Sequence, residues 1–126
     1  MEQTVAWEAI ASGYGLIEGP TIDVDDSLVF ADVLDGGVYR LTAGGAVSTV
    51  VPKRRGVGGI AVHADGGLVI GGRDLQFVRD SSVLLHAIDG ALGVNDFCAD
   101  AAGRIYVGSV RWRSLDPTAE HVPGEL

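Results

Sequence analysis

The sequence predicts an all-β protein made of short four-stranded repeats, about two and a half blades of a β-propeller. Three observations carry that prediction. Glycine supplies 19 of the 126 residues, against roughly 7 % in average usage, so turns must be frequent. One pattern is written three times, opening at Glu18, Gly58 and Asn95, which are 40 and 37 residues apart. Finally, no segment of ten or more residues holds a 3.6-residue apolar period, because Gly or Pro interrupts nearly every candidate.

The three copies read EGPTIDVDDSLVFAD, GGIAVHADGGLVIGG and NDFCADAAGRIYVGS, with Leu28, Leu68 and Ile105 in register. Each is a small or polar opening, an apolar stretch, an Asp/Gly turn and a second apolar stretch, which is the signature of a β-hairpin. After the first copy, residues 37–41 and 46–51 flank Thr42-Ala43-Gly44-Gly45 and make a second hairpin. Residues 75–79 and 83–88 do the same after the second copy. Asp35-Gly36-Gly37 and Asp65-Gly66-Gly67 supply the positive-φ residues that tight turns require. The runs LVFADV and GLVI are apolar at successive positions rather than alternating, as in a sheet covered on both faces. A unit of about 40 residues and four strands, packed between neighbours, is a propeller blade, with a two-sheet sandwich as the structural rival. The whole of 1–126 is one partial propeller, with repeats starting near 17, 57 and 94 and no second domain. Since propellers close with ~4 to 8 blades, the expectation is that a second chain, a second copy or further sequence completes the ring.

Composition narrows the function classes. An apolar fraction of 47 % with 4 prolines excludes a disordered tail or linker. One cysteine, Cys98, cannot close an intramolecular disulfide, so a reducing, cytoplasmic setting is expected, with Cys98 packed inside its apolar strand. The N-terminal MEQTVAWEAIASGYG lacks the basic and apolar segments of a signal sequence, and no apolar run reaches the ~18 to 20 residues of a membrane span. A net charge of −8 disfavours nucleic acid and anionic membranes as partners. The glycine-rich VGGI and VIGG lack the Lys and Ser/Thr of a phosphate loop. His63, His86 and His121 are too widely spaced for a local zinc motif.

The ordered set Gly15-Leu16-Ile17-Glu18-Gly19-Pro20, LVFADVLDGGVYR, Gly58-Gly59-Ile60-Ala61-Val62 and Asn95-Asp96 followed by DAAGRIYVGS resembles the senescence-marker-protein, gluconolactonase and luciferin-regenerating-enzyme family nearly end to end. The resemblance implies a six-bladed propeller with one divalent ion, Ca²⁺ first and Mg²⁺ or Zn²⁺ as alternatives, in the central channel, and hydrolysis of a lactone or ester. It implies that residues 4–10 form the family's opening strand, which joins the last blade. It makes Glu18 a metal ligand, a role apt for a carboxylate because hard cations take oxygen donors. It makes Asn95 a channel-facing substrate contact, which an amide can serve as both donor and acceptor, with Asp96 supporting the loop. The remaining ligands and the catalytic base fall, by that pattern, in blades beyond this sequence, so the chain alone is expected to be inactive. Two departures argue against gluconolactone itself: Gly93 stands where the sugar-lactone hydrolases have Arg, and Arg113 where they have an acidic contact.

Independently of the family, five of the nine Lys and Arg fall in two loops that open on one rim: Lys53, Arg54 and Arg55 before the second inner strand, and Arg111 and Arg113 after the third hairpin. They point to an anionic small-molecule substrate, with Arg111 and Arg113 as substrate contacts, the alternative being that Lys53-Arg54-Arg55 is a solvated loop run and Arg111 and Arg113 merely flank Trp112. The alternative from another class is a non-catalytic propeller module that binds a small molecule, an ion or a protein at its mouth.

Overall fold

The computed structural model describes residues 4–126. Among these there are ten strands and no helix. Strands β1 (Ile17–Ile22), β2 (Leu28–Asp32), β3 (Val38–Leu41) and β4 (Val47–Val51) form one antiparallel meander. A second consists of β5 (Ile60–Val62), β6 (Leu68–Ile70), β7 (Leu75–Val78) and β8 (Ser82–His86). Strands β9 (Gly93–Ala99) and β10 (Ile105–Val110) make a final hairpin. This is two blades and the first hairpin of a third. On the free edge of β10 the Ser109 amide donates to the Glu125 carbonyl at 2.8 Å, and the Glu125 amide donates to the Ser109 hydroxyl at 2.8 Å, which ties the C-terminal segment to that strand.

The repeat is visible at atomic level. Leu28, Leu68 and Ile105 each open the second strand of their hairpin. The turns before them are the same turn: the amides of Asp23, His63 and Asp100 donate to the carbonyls of Ser27, Gly67 and Arg104, and the carbonyls of Asp23, His63 and Asp100 accept from the amides of Asp26, Gly66 and Gly103. Gly36 and Gly37 hold φ of 91° and 114° between β2 and β3, and Gly66 and Gly67 hold 91° and 89° between β5 and β6. A Cβ on Gly67 would lie 2.8 Å from the Val78 carbonyl oxygen, so only glycine fits that turn.

Packing explains the unbroken apolar runs. Leu68 and Ile70 of β6 join Val29, Ala31, Val38, Val57, Ile60 and Val78 in a core between the first two sheets. Val69, between them in sequence, faces the other way and packs with Leu75 and Val94 against the third-blade hairpin. A strand in the middle of a stack buries every residue, whichever face it points to. The inner strands β1, β5 and β9 lie side by side, whereas β8 on the rim is exposed along its whole length.

Two expectations fail, both at the ends of the stack. Residues 4–10 form no strand and are exposed, with Trp7 at 93 %, because no strand among the described residues pairs with them. The segment just after them does cover the outer face of the first sheet: Tyr14 packs edge-on against Phe30, ring centres 4.9 Å apart. Cys98 is exposed rather than packed, since its face of β9 looks away from the second blade and nothing among the described residues covers it.

Candidate functional site

The inner strands are built with interruptions where they reach the top of the stack. In β1 the pairing steps from Glu18↔Ala31 to Thr21↔Val29, leaving one extra residue at Gly19-Pro20. Proline has no N–H to lose from a ladder and Gly19 sits at φ 65°, so the EGP sequence itself makes this bulge. In β9 the pairing steps from Phe97↔Val107 to Val94↔Ser109, which puts the extra residue at Asn95-Asp96. Bulges re-aim side chains, and Glu18 and Asn95 stand at them.

Between these two, at the corresponding position ahead of β5, lies Gly58. A Cβ built there would sit 3.2 Å from Asn95 Oδ1 and 3.5 Å from Glu18 Oε2. Carboxylate and amide therefore converge over the spot that Gly58 leaves open. Gly59, next in the chain, is required for a different reason: its Cβ would stand 2.5 Å from Phe97 Cδ1 and 3.0 Å from the Phe97 amide nitrogen. The close approach of β5 to β9 depends on it.

Glu18, Gly58 and Asn95 line one cleft of about 330 Å³, together with Arg55, Arg73, Leu92, Ser114 and Leu115. Glu18 makes no ion pair among the described residues, although the chain contains several Arg–carboxylate pairs. Its backbone is held from below. The Asp32 carboxylate, only 2 % exposed, accepts the amides of Gly15 at 2.8 Å and of Leu16, Leu34 and Asp35 at 3.1 Å. Burial works to raise the pKa of Asp32, and the four N–H donors outweigh it and hold the group below the ordinary carboxylate range. Asp32 thus pins both the approach to β1 and the β2–β3 turn.

The basic residues divide. Arg54 is structural: its Nε donates to the Gly71 carbonyl at 2.9 Å, and its Nη2 to the Asp74 carbonyl at 2.8 Å and to Asp74 Oδ1 at 2.7 Å. Burial opposes ionisation of Asp74, but hydrogen bonding and charge from Arg54, with a hydrogen bond from Gln76, hold its pKa below the usual range. Arg111 is tied to Glu125 at 2.8 Å and to the Asp89 carbonyl at 3.4 Å, and Arg113 is exposed; neither lines the cleft. Lys53 is exposed at φ 59°. Arg73, absent from the sequence argument, does line the cleft. No spacing rule could have found it, because only the fold sets the β6–β7 turn beside the loop that carries Arg55. His63 accepts the Asp65 amide within its turn and His121 stacks edge-on with Trp112, ring centres 5.1 Å apart. Among the described residues no three His, Cys, Asp or Glu side chains gather as a metal cluster, and no helix is long and apolar enough to cross a membrane.

Comparison with known proteins agrees with this architecture. The family described as "SMP-30/Gluconolactonase/LRE-like region" matches residues 16–126. A gluconolactonase from Xanthomonas campestris has a similar structure, with a TM-score of 0.73 at 20 % identity over 86 % of this chain. So does a structural-genomics target named as a candidate gluconolactonase, with a TM-score of 0.71 at 18 % identity over 82 % of this chain. The chain spans 39 % of the length of each. No curated protein matches the sequence.

Proposed function

Because the chain belongs to the SMP-30/gluconolactonase/LRE-like family, we propose that it contributes the first blades of a metal-dependent lactonase-type hydrolase acting on a lactone or ester other than gluconolactone. The observation that carries this reading is the convergence of Glu18 and Asn95 over Gly58. A carboxylate oxygen is a donor that a hard divalent cation takes, and the absent Cβ leaves room between it and an amide that can bond a substrate. Glu18 fits as one member of a larger ligand set. A Ca²⁺, Mg²⁺ or Zn²⁺ ion there would supply a Lewis acid for the substrate carbonyl and lower the pKa of a water molecule.

The chain's own residues have separate tasks. Glu18 would hold the ion with its charged oxygen. Asn95 orients the substrate, donating to or accepting from it through one amide. Asp32 keeps Glu18 in place by fixing Gly15 and Leu16. Leu16, Val33, Leu92 and Leu115 give the cleft an apolar part to its lining, against which the carbon skeleton of a substrate can rest. Gly93 lines the cleft where the sugar-lactone hydrolases carry Arg, which removes a sugar contact and favours a different substrate.

The test is hydrolysis of a panel of γ- and δ-lactones and aryl esters, by the 126-residue chain and by a form in which the ring is complete. The complete ring should turn over at least one of them, lose that activity to EDTA and regain it with the metal, while the chain alone stays inactive. Absence of turnover by a complete ring that binds the metal, or turnover indifferent to chelation, refutes the proposal.

A further inference from the structure

Two loops meet at the wall of the cleft, and the side chain that joins them leaves two neighbouring charges unspent. The β4–β5 loop carries Arg54 and Arg55, and the β6–β7 turn carries Arg73 and Asp74. Arg54 spans the gap, bonding Gly71 and Asp74 through three contacts of 2.7 to 2.9 Å, and its charge is answered by Asp74 Oδ1. Arg55, the next residue, lines the cleft and makes no ion pair among the described residues. Arg73 lines it too, with a side chain 83 % exposed. Its nearest carboxylate oxygen, Asp74 Oδ2, is 3.6 Å from Nε, and Asp74 already serves Arg54 and Gln76.

The ionisable groups lining the cleft are therefore two arginines and one glutamate, in a chain whose net charge is −8. The sign of the local charge is opposite to that of the molecule. It does not depend on Arg111 or Arg113, which lie elsewhere. Guanidinium groups match carboxylates in shape as well as charge, through paired N–H donors. The Arg54 bridge holds the two loops together, so Arg55 and Arg73 lie on the wall of the same cleft.

We infer that Arg55 and Arg73 form an anion-recognition pair that selects substrates bearing a carboxylate beside the hydrolysable carbonyl. The inference rests on the hydrolase reading for the identity of the reacting group, and on the two loops alone for the anion.

Binding to the 126-residue chain tests it without any turnover. The probes are 5-oxotetrahydrofuran-2-carboxylate, its neutral parent γ-butyrolactone, and inorganic phosphate, each followed by ¹H–¹⁵N NMR at the arginine Nε–H groups and at the Gly56 and Gly72 amides. The carboxylated lactone should shift all four signals saturably and bind about tenfold more tightly than the neutral one, the worth of one charge-assisted contact. R55Q and R73Q should each weaken it by about tenfold, R55K by less. Affinity should also fall with added salt, since screening at physiological ionic strength acts over ~8 Å. Equal binding of the neutral lactone by the parent chain overturns the pair, as does unchanged binding by a folded R55Q/R73Q double variant. Tighter binding of phosphate than of the carboxylated lactone overturns the assignment to carboxylates. The neutral-analogue and salt comparisons need no variant, so a misfolded mutant does not block the test. Carboxylate binding in a chain whose complete ring hydrolyses no lactone sustains the pair and refutes the hydrolase; hydrolysis without preference for the anion does the reverse.

Discussion

Removing the Asp32 carboxylate should destabilise the first blade and loosen Glu18 at the same time. Asp32 is 2 % exposed and accepts four backbone N–H groups between 2.8 and 3.1 Å. Asp32→Ala leaves those donors without an acceptor, and an unsatisfied buried donor costs ~1 to 3 kcal/mol. Gly15, Leu34 and Asp35 are exposed residues whose amides water can reach after a small movement, so the expected loss is about 3 kcal/mol rather than the full sum. Asp32→Asn keeps the shape and one acceptor but turns an NH₂ toward a cage of donors, and should cost about 2 kcal/mol. Because the folded-state pKa is lowered, the group contributes stability above its unfolded value near ~3.9, and that contribution disappears as pH falls through the folded value. The Asn variant should therefore trail the parent at neutral pH and converge with it in acid. Equilibrium urea unfolding by circular dichroism at pH 7 and at pH 3 measures both effects. An Asn variant within about 0.5 kcal/mol of the parent at pH 7, or a deficit that does not shrink in acid, refutes the reasoning.

Three further outcomes are expected. In a complete ring, Glu18→Gln should weaken calorimetrically measured metal binding more than Asn95→Ala, because it removes a charged oxygen rather than a neutral one; equal affinities would dismiss Glu18 as a principal ligand. Gly59→Ala should destabilise the chain by about 2 kcal/mol through collision with the Phe97 ring and amide, whereas Gly58→Ala should fold nearly normally and block the ligand cleft; hydrogen exchange at β9 and metal titration separate the two. Arg54→Ala should cost about 3 kcal/mol by leaving the partly buried Asp74 uncompensated, and much of that should return in Arg54→Ala/Asp74→Ala, a coupling that a double-mutant cycle reads directly.

How much of this was legible beforehand divides along a physical line. Everything local was in the sequence. The threefold pattern, the Asp/Gly turns with positive φ, the second strands opening at Leu28, Leu68 and Ile105, and the doubly covered strand at Leu68–Ile70 all follow from propensities and spacings that act within a few residues. The register of the repeat also identified Glu18, Gly58 and Asn95 as equivalent positions, and equivalent positions on adjacent inner strands are neighbours in space. What depended on partners far along the chain was not readable. Residues 4–10 and Cys98 have the composition of a strand and of a core position, but a strand needs a second strand and a core needs an opposite face, and the described residues supply neither for them. The basic residues show the same division in reverse. Arg54 and Arg55 are adjacent and chemically identical, yet Asp74, twenty residues on, makes one a structural bridge and leaves the other facing the cleft. Only the tertiary structure assigns those roles, because the charge left on an arginine is decided by the carboxylate the fold brings to it.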